Sequence, residues 1–96
     1  MVQLDEQGIL HLQGDLSIHN LESLHQALTD MLYSNEELIL SFAEVDFMDT
    51  AVLQLLLAFR SSLPPRRTWL VVGISEKMER ILSLSGLRTA LLGYGE

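Results

Sequence analysis

Apolar and polar positions alternate at the start of the chain. Val2 and Leu4 precede the turn-forming run Asp5-Glu6-Gln7-Gly8, and Leu10, Leu12 and Leu16 then interleave with His11, Gln13 and Asp15. A period of two with one wet side predicts a β-hairpin whose even-numbered residues face a core, Ile9 being the exception. It also predicts a sheet with its helices mainly on one side. The period then changes. Leu21, Leu24, Leu28, Met31 and Leu32 recur at helical spacing, which predicts a helix capped by Ser17 or Asn20 and running to about Tyr33.

Ser34-Asn35 is a polar break, after which Leu38 to Phe42 is apolar at nearly every position. This predicts a strand that is covered on both faces or centrally paired. The run from Val45 to Phe59 carries the chain from strand into helix through Asp49 and Thr50, and Pro64-Pro65 ends that helix near Leu63. Arg66-Arg67 opens a second interior strand over Thr68 to Val72, closed by Gly73. Ser75 caps a further helix with Met78, Ile81 and Leu82 inward and Glu76, Glu79 and Arg80 outward. Gly86 supplies a left-handed turn that lets Leu87 fold back onto Leu82. Arg88 to Glu96 is too short to show a period, and the reading there is a turn or an edge strand.

Strands that alternate with helices imply parallel pairing through right-handed crossovers. With 96 residues and no linker, repeat or low-complexity tract, the expectation is one α/β domain over residues 1–96. Its sheet would be mixed, with four to five strands and three to four helices packed mainly on one face.

Composition removes several classes of chemistry. Cysteine is absent, which excludes disulfides, thiolate zinc sites and thiol catalysis. No basic flank leads into an apolar core at the amino end, and the longest apolar run, Leu55 to Phe59, is far short of a membrane span. The expectation is a cytoplasmic protein without direct membrane insertion. A formal charge of −7 argues against nucleic acid and anionic lipid surfaces, both of which need a basic footprint. The charge is divided: ten acids and no Lys or Arg up to Asp49, six bases and three acids from Thr50 onward. Two solvated faces of opposite sign would account for this, and so would an acidic docking surface for a basic partner. His11, His19 and His25 lack the spacing of a helical metal site, so neither metal nor cofactor is expected.

The candidate chemistry lies where the strand's carboxyl end meets a helix amino end, the usual ligand or switch position of an α/β sheet. At 100° per residue, Val52, Leu53, Leu55, Leu56, Leu57 and Phe59 occupy one broad side of the helix. Thr50, Gln54, Ala58 and Ser61, with Ala51 alongside, form the remaining narrow stripe, and Thr50 heads it. An Asp or Thr here also serves as a cap for open N–H groups. Glu44, Asp46 and Asp49 suggest a magnesium-assisted phosphoacceptor aspartate, but Asp15 is a lone carboxylate on the other strand and Lys77 sits early in a helix. No glycine-rich phosphate loop, serine elbow or paired-carboxylate signature is present, so no enzyme is expected.

Four features together resemble the STAS family, the domain of sulfate transporters and anti-sigma factor antagonists. They are Leu-x-Gly-x-Leu at Leu12 to Leu16, the apolar strand into Val45-x-Phe47-Met48-Asp49-Thr50, the leucine-rich helix, and Gly86-Leu87. The resemblance covers nearly the whole chain and implies a STAS-like α/β fold and a non-enzymatic switch. In the antagonist branch a partner kinase phosphorylates the Ser or Thr after that Asp, and the unphosphorylated form binds and sequesters the kinase-type regulator. By position Thr50 is then the phosphoacceptor, with Asp49, Thr50, Ala51, Gln54, Ala58 and Ser61 as the partner-binding face. Val52 and Gln54 stand where the family commonly has glycine, which makes the surface beside Thr50 bulkier. The resemblance extends to the STAS subunit of bacterial phospholipid-transport ABC complexes, where the same face would brace an ATPase subunit. STAS proteins of chemotaxis-type signalling clusters are similar too. The oligomeric state is left open.

Overall fold

The computed structural model describes residues 2–34 and 37–92. In chain order it runs β1 (Val2–Leu4), β2 (Ile9–Leu16), a 3-10 turn (Ile18–Asn20), α1 (Leu21–Ser34), β3 (Glu37–Met48), α2 (Thr50–Ser61), β4 (Thr68–Ile74), α3 (Glu76–Ser85) and α4 (Arg88–Leu92). The four strands form one sheet in the order β1-β2-β3-β4. β1 pairs antiparallel with β2, and the β2-β3 and β3-β4 pairs are parallel.

The alternation in β2 places Leu10, Leu12 and Leu16 in the core at 0 to 1% exposure, with Leu38, Leu40 and Phe42 of β3 beside them at 0%. Leu24, Leu28 and Met31 of α1, Val52, Leu53 and Leu56 of α2, and Met78 and Leu82 of α3 close over that side of the sheet. Burying one such side chain contributes about 1.5–3 kcal/mol, so the apolar parity of the strands and the stripes of the helices together fix which sheet face is covered.

β3 runs on past its apolar stretch to Met48 and carries two irregularities along its pairing with β2. Its register against β2 shifts between His11 and Gln13 and again between Gly14 and Asp15. Each shift puts an extra residue into β3, which is why Ala43-Glu44 and Asp46-Phe47 are consecutively exposed between buried neighbours. Gly14 permits the second shift with a φ of 75°, a left-handed conformation that a side chain would resist.

Among the described residues β4 is an edge strand, not an interior one, because no strand follows it in the sheet order. Leu70 and Val72, on the face away from the helices, are 43% and 51% exposed, whereas Val71 between them is buried. Gly73 does not close the strand, which continues to Ile74. The residue is small because β3 comes close: a Cβ at Gly73 would stand 3.1 Å from Ser41 Oγ and 3.2 Å from Ala43 Cβ.

The helix after the junction ends at Ser61, two residues short of Leu63. Ser17 caps the 3-10 turn and Asn20 completes its capping box, so both candidate caps act together one turn ahead of α1. Arg67 donates from its guanidinium to Leu32 O at 2.7 Å, satisfying a carbonyl at the end of α1. Residues 88 to 92 form a short helix, not a strand. The Trp69 indole N–H donates to Leu91 O at 2.9 Å, Arg88 grips Glu79 through two bonds of 3.0 and 3.1 Å, and Leu91 and Leu92 are buried. Residues 93–96 lie outside the described residues, as does Asn35 of the polar break.

Candidate functional site

Asp49 is the last extended residue before α2 and is held from three directions. Its own N–H donates to Leu16 O at 3.0 Å, which pins the end of β3 to the end of β2. Its Oδ1 accepts from the Val52 N–H at 3.2 Å, the expected helix cap. Its Oδ2 accepts from the Ile18 N–H at 3.1 Å and so ties in the 3-10 turn as well. Both carboxylate oxygens are committed inside the molecule, and Asp49 itself is half-buried.

Thr50 is the first residue of α2 and is exposed. Gln54, Ala58 and Ser61 below it are exposed and Ala51 is half-buried, so the stripe read from the sequence is one surface. Val52 does not contribute to that surface: it is 0% exposed, because its position on the helix points it into the core. The bulk beside Thr50 therefore comes from Gln54 alone, and the expectation that Val52 adds to it is corrected.

The stripe has a second wall. Leu21, Glu22, His25 and Gln26 of α1 face Ala51, Gln54 and Leu55 of α2 across an open groove of about 680 Å³. His25 meets Phe59 edge-on, with ring centroids 6.3 Å apart and an interplanar angle of 84°, a contact that bridges the two helices. Ile18, clamped by Asp49, is 60% exposed at the head of this arrangement. The α1 residues and Ile18 are absent from the face read off the sequence. The signal for them was an isoleucine in an otherwise polar turn and the adjacency of two crossover helices on one sheet face.

The other acids of the junction go elsewhere. Asp46 meets Lys77 at 3.4 Å on the opposite side of the β3 end, where Ser75 Oγ donates to Val45 O at 2.7 Å and caps Met78 N at 3.0 Å. Glu44, Asp46, Glu76 and Lys77 line a separate hollow there, so these carboxylates do not converge with Asp49. Among the described residues no three His, Asp or Glu side chains gather in a way that could hold a metal ion. No helix among them is long and apolar enough to cross a membrane.

A family model described as "Mlab, STAS domain" matches residues 1–93. Among solved structures, an anti-sigma factor antagonist from Mycobacterium paratuberculosis is similar with a TM-score of 0.76 and 19% identity, over 95% of this chain and 80% of that one. The anti-sigma factor antagonist SpoIIAA in its unphosphorylated form is similar with a TM-score of 0.73 and 20% identity, over 91% of this chain and 82% of that one. These two likenesses establish a shared α/β fold with a mixed sheet.

Proposed function

The chain belongs to the STAS family, and from that premise we propose that it is a non-enzymatic, cytoplasmic partner-switching protein. In this reading it binds a kinase-type regulator of the anti-sigma class through the α2 face headed by Thr50, and phosphorylation of Thr50 releases it.

One observation carries the reading. Both oxygens of Asp49 are taken by backbone amides, so the junction is rigid while the neighbouring Thr50 stands exposed above a stripe of small and polar residues and a groove. A phosphate on Thr50 would bring about −1.5 to −2 charge. The free N–H groups and dipole of the helix amino end accommodate that charge within this chain. A partner surface that had settled against the stripe would have to desolvate it. Phosphorylation would thus oppose docking without opposing the fold.

A second reading is favoured by the description of the matched family model. Here the chain is a structural STAS subunit of a bacterial phospholipid-transport ABC complex, and the same face braces the ATPase subunit. The groove between α1 and α2 would then receive a fixed side-chain anchor and Thr50 would be a contact, not a switch.

Tagged wild-type, Thr50→Ala and Thr50→Glu chains, used as bait in native cells and read by mass spectrometry, separate the two. Switching is supported by a kinase-type regulator that is held by the wild-type and Ala chains and lost by the Glu chain, together with a phosphate on Thr50. Equal recovery of that regulator with Thr50→Glu overturns it. An ATP-binding cassette subunit that co-purifies with the wild-type and Ala chains supports the second reading.

A further inference from the structure

Among the described residues the helices leave one face of the sheet bare, and its residues are of two kinds. In register, Ile9 of β2 lies beside Ile39 of β3, and Ile39 beside Leu70 of β4, so an apolar row crosses three parallel strands. Val72 follows on β4 at 51% exposure, and Phe47, opposite Asp15, is 50% exposed further along β3. Ile9 and Ile39 are only half-buried and do not belong to the cluster packed under the helices.

Acids stand at both ends of this band. Glu37, opposite Thr68, begins β3 on the bare side; Glu44, opposite Gln13, and Asp15, opposite Phe47, lie toward the other end. None of the four strands contains a Lys or Arg. Parallel sheets are ordinarily covered on both faces, since their strands present apolar residues to each side. Among the described residues this one has three parallel strands and a single covered face.

We propose that the bare sheet face is a second docking surface, fitted to a partner protein's amphipathic helix whose apolar stripe is flanked by Lys and Arg. Charge decides the occupant. The stripe packs on Ile9, Ile39, Leu70 and Val72, and the flanking cations reach Glu37 at one end and Glu44 and Asp15 at the other. From Glu37 to Glu44 the strand spans about 20 Å, the length of a helix of about 14 residues. A second copy of this chain is a poor occupant, because it would bring the same acids against their like and a formal charge of −7 against −7. The surface lies across the sheet from α2, so it is independent of the Thr50 face.

The test uses a synthetic helical peptide of about 15 residues with a Leu stripe and flanking Lys, and a counterpart with the same stripe and flanking Glu, each titrated into the isotope-labelled full chain and followed by NMR. The expected result is methyl shifts at Ile9, Ile39, Leu70 and Val72 with the Lys peptide, weakening as salt is raised, and none with the Glu peptide. Leu70→Lys/Val72→Lys, a change that edge strands tolerate, should keep the fold by circular dichroism and weaken binding at least about tenfold. Glu37→Gln/Glu44→Gln should weaken it severalfold and flatten the salt dependence. Equal binding of both peptides, shifts confined to the α1-α2 groove, or concentration-dependent dimers abolished by the Lys pair would each overturn the proposal.

Discussion

Asp49 and Ile18 are 31 positions apart, and one hydrogen bond of 3.1 Å between the carboxylate of the first and the amide of the second holds the β2-α1 turn against the start of α2. The same carboxylate caps the helix through Val52. Asp49→Ala removes both bonds and leaves two amides unsatisfied. It should lower unfolding free energy by about 1–3 kcal/mol in urea titrations. Thr50→Ala, at an exposed position, should change it by less than about 0.5 kcal/mol. Hydrogen exchange at Ile18 and Val52 amides should accelerate in the first variant and not in the second.

Gly73 is held to its size by β3. Gly73→Ala pushes a methyl to within 3.1 Å of Ser41 Oγ and 3.2 Å of Ala43 Cβ. The serine hydroxyl can rotate away but the Ala43 Cβ is fixed to the backbone, so β3 and β4 must separate slightly. A loss of about 1–3 kcal/mol is expected by denaturant unfolding. Adding Ser41→Ala should restore only part of it.

What could be read from residues and what could not divides by range. The parity of Leu10, Leu12 and Leu16 and the stripes of α1 and α2 are local periodicities, and each element formed where its period was strongest. The Asp49 cap was legible for the same reason. Its tie to Ile18 was not, because nothing local marks a partner 31 positions away. The apolar run of β4 reads alike for an interior strand and for an edge strand with one bare face, so its place in the sheet order was hidden. α4 spans five residues, too few to display a period, and is held by Trp69 and Glu79 from other elements. Val52 looked like surface bulk only by comparison with a family pattern, whereas its own helical position had placed it inward.

The hairpin turn should report its charge through pH. His11 Nε2 lies 2.8 Å from Asp5 Oδ2, and the Ile9 and Gln7 amides donate to Asp5 Oδ1. The His11 bond first, then those amides, hold the Asp5 carboxyl below its usual range. A carboxyl whose folded pKa is depressed adds stability above its unfolded value and loses it as pH falls through the folded one. Wild type should therefore exceed Asp5→Asn in thermal stability above about pH 4, with the gap closing as pH drops further. A gap that stays constant down to pH 2 would contradict the pairing.

Trp69 is the protein's single tryptophan, and its indole bond to Leu91 O makes its fluorescence a reporter of α4. Trp69→Phe should lower stability by about 0.5–1.5 kcal/mol from the lost hydrogen bond alone. In the wild type, unfolding followed by Trp69 emission should coincide with that followed by far-ultraviolet circular dichroism, the mark of one cooperative unit. Glu79→Gln, which weakens the grip on Arg88, should advance the fluorescence transition ahead of the dichroism one.

The groove between α1 and α2 makes a demand on size. Ala51 is half-buried on its floor beside Leu55, with His25 and Gln26 opposite. Ala51→Trp would fill that space with an indole while leaving Val52, Leu53 and Leu56 in the core. The chain should keep its melting temperature within a few degrees, since a helix surface tolerates the change. Affinity for whichever protein is captured through the Thr50 face should fall at least about tenfold by calorimetry, because an anchor side chain excluded from its pocket forfeits most of its burial. Ser61→Trp, at the far end of the same stripe and beyond the groove, should weaken binding much less. If the two substitutions act equally, the partner rests on the stripe alone and the α1 wall plays no part in holding it.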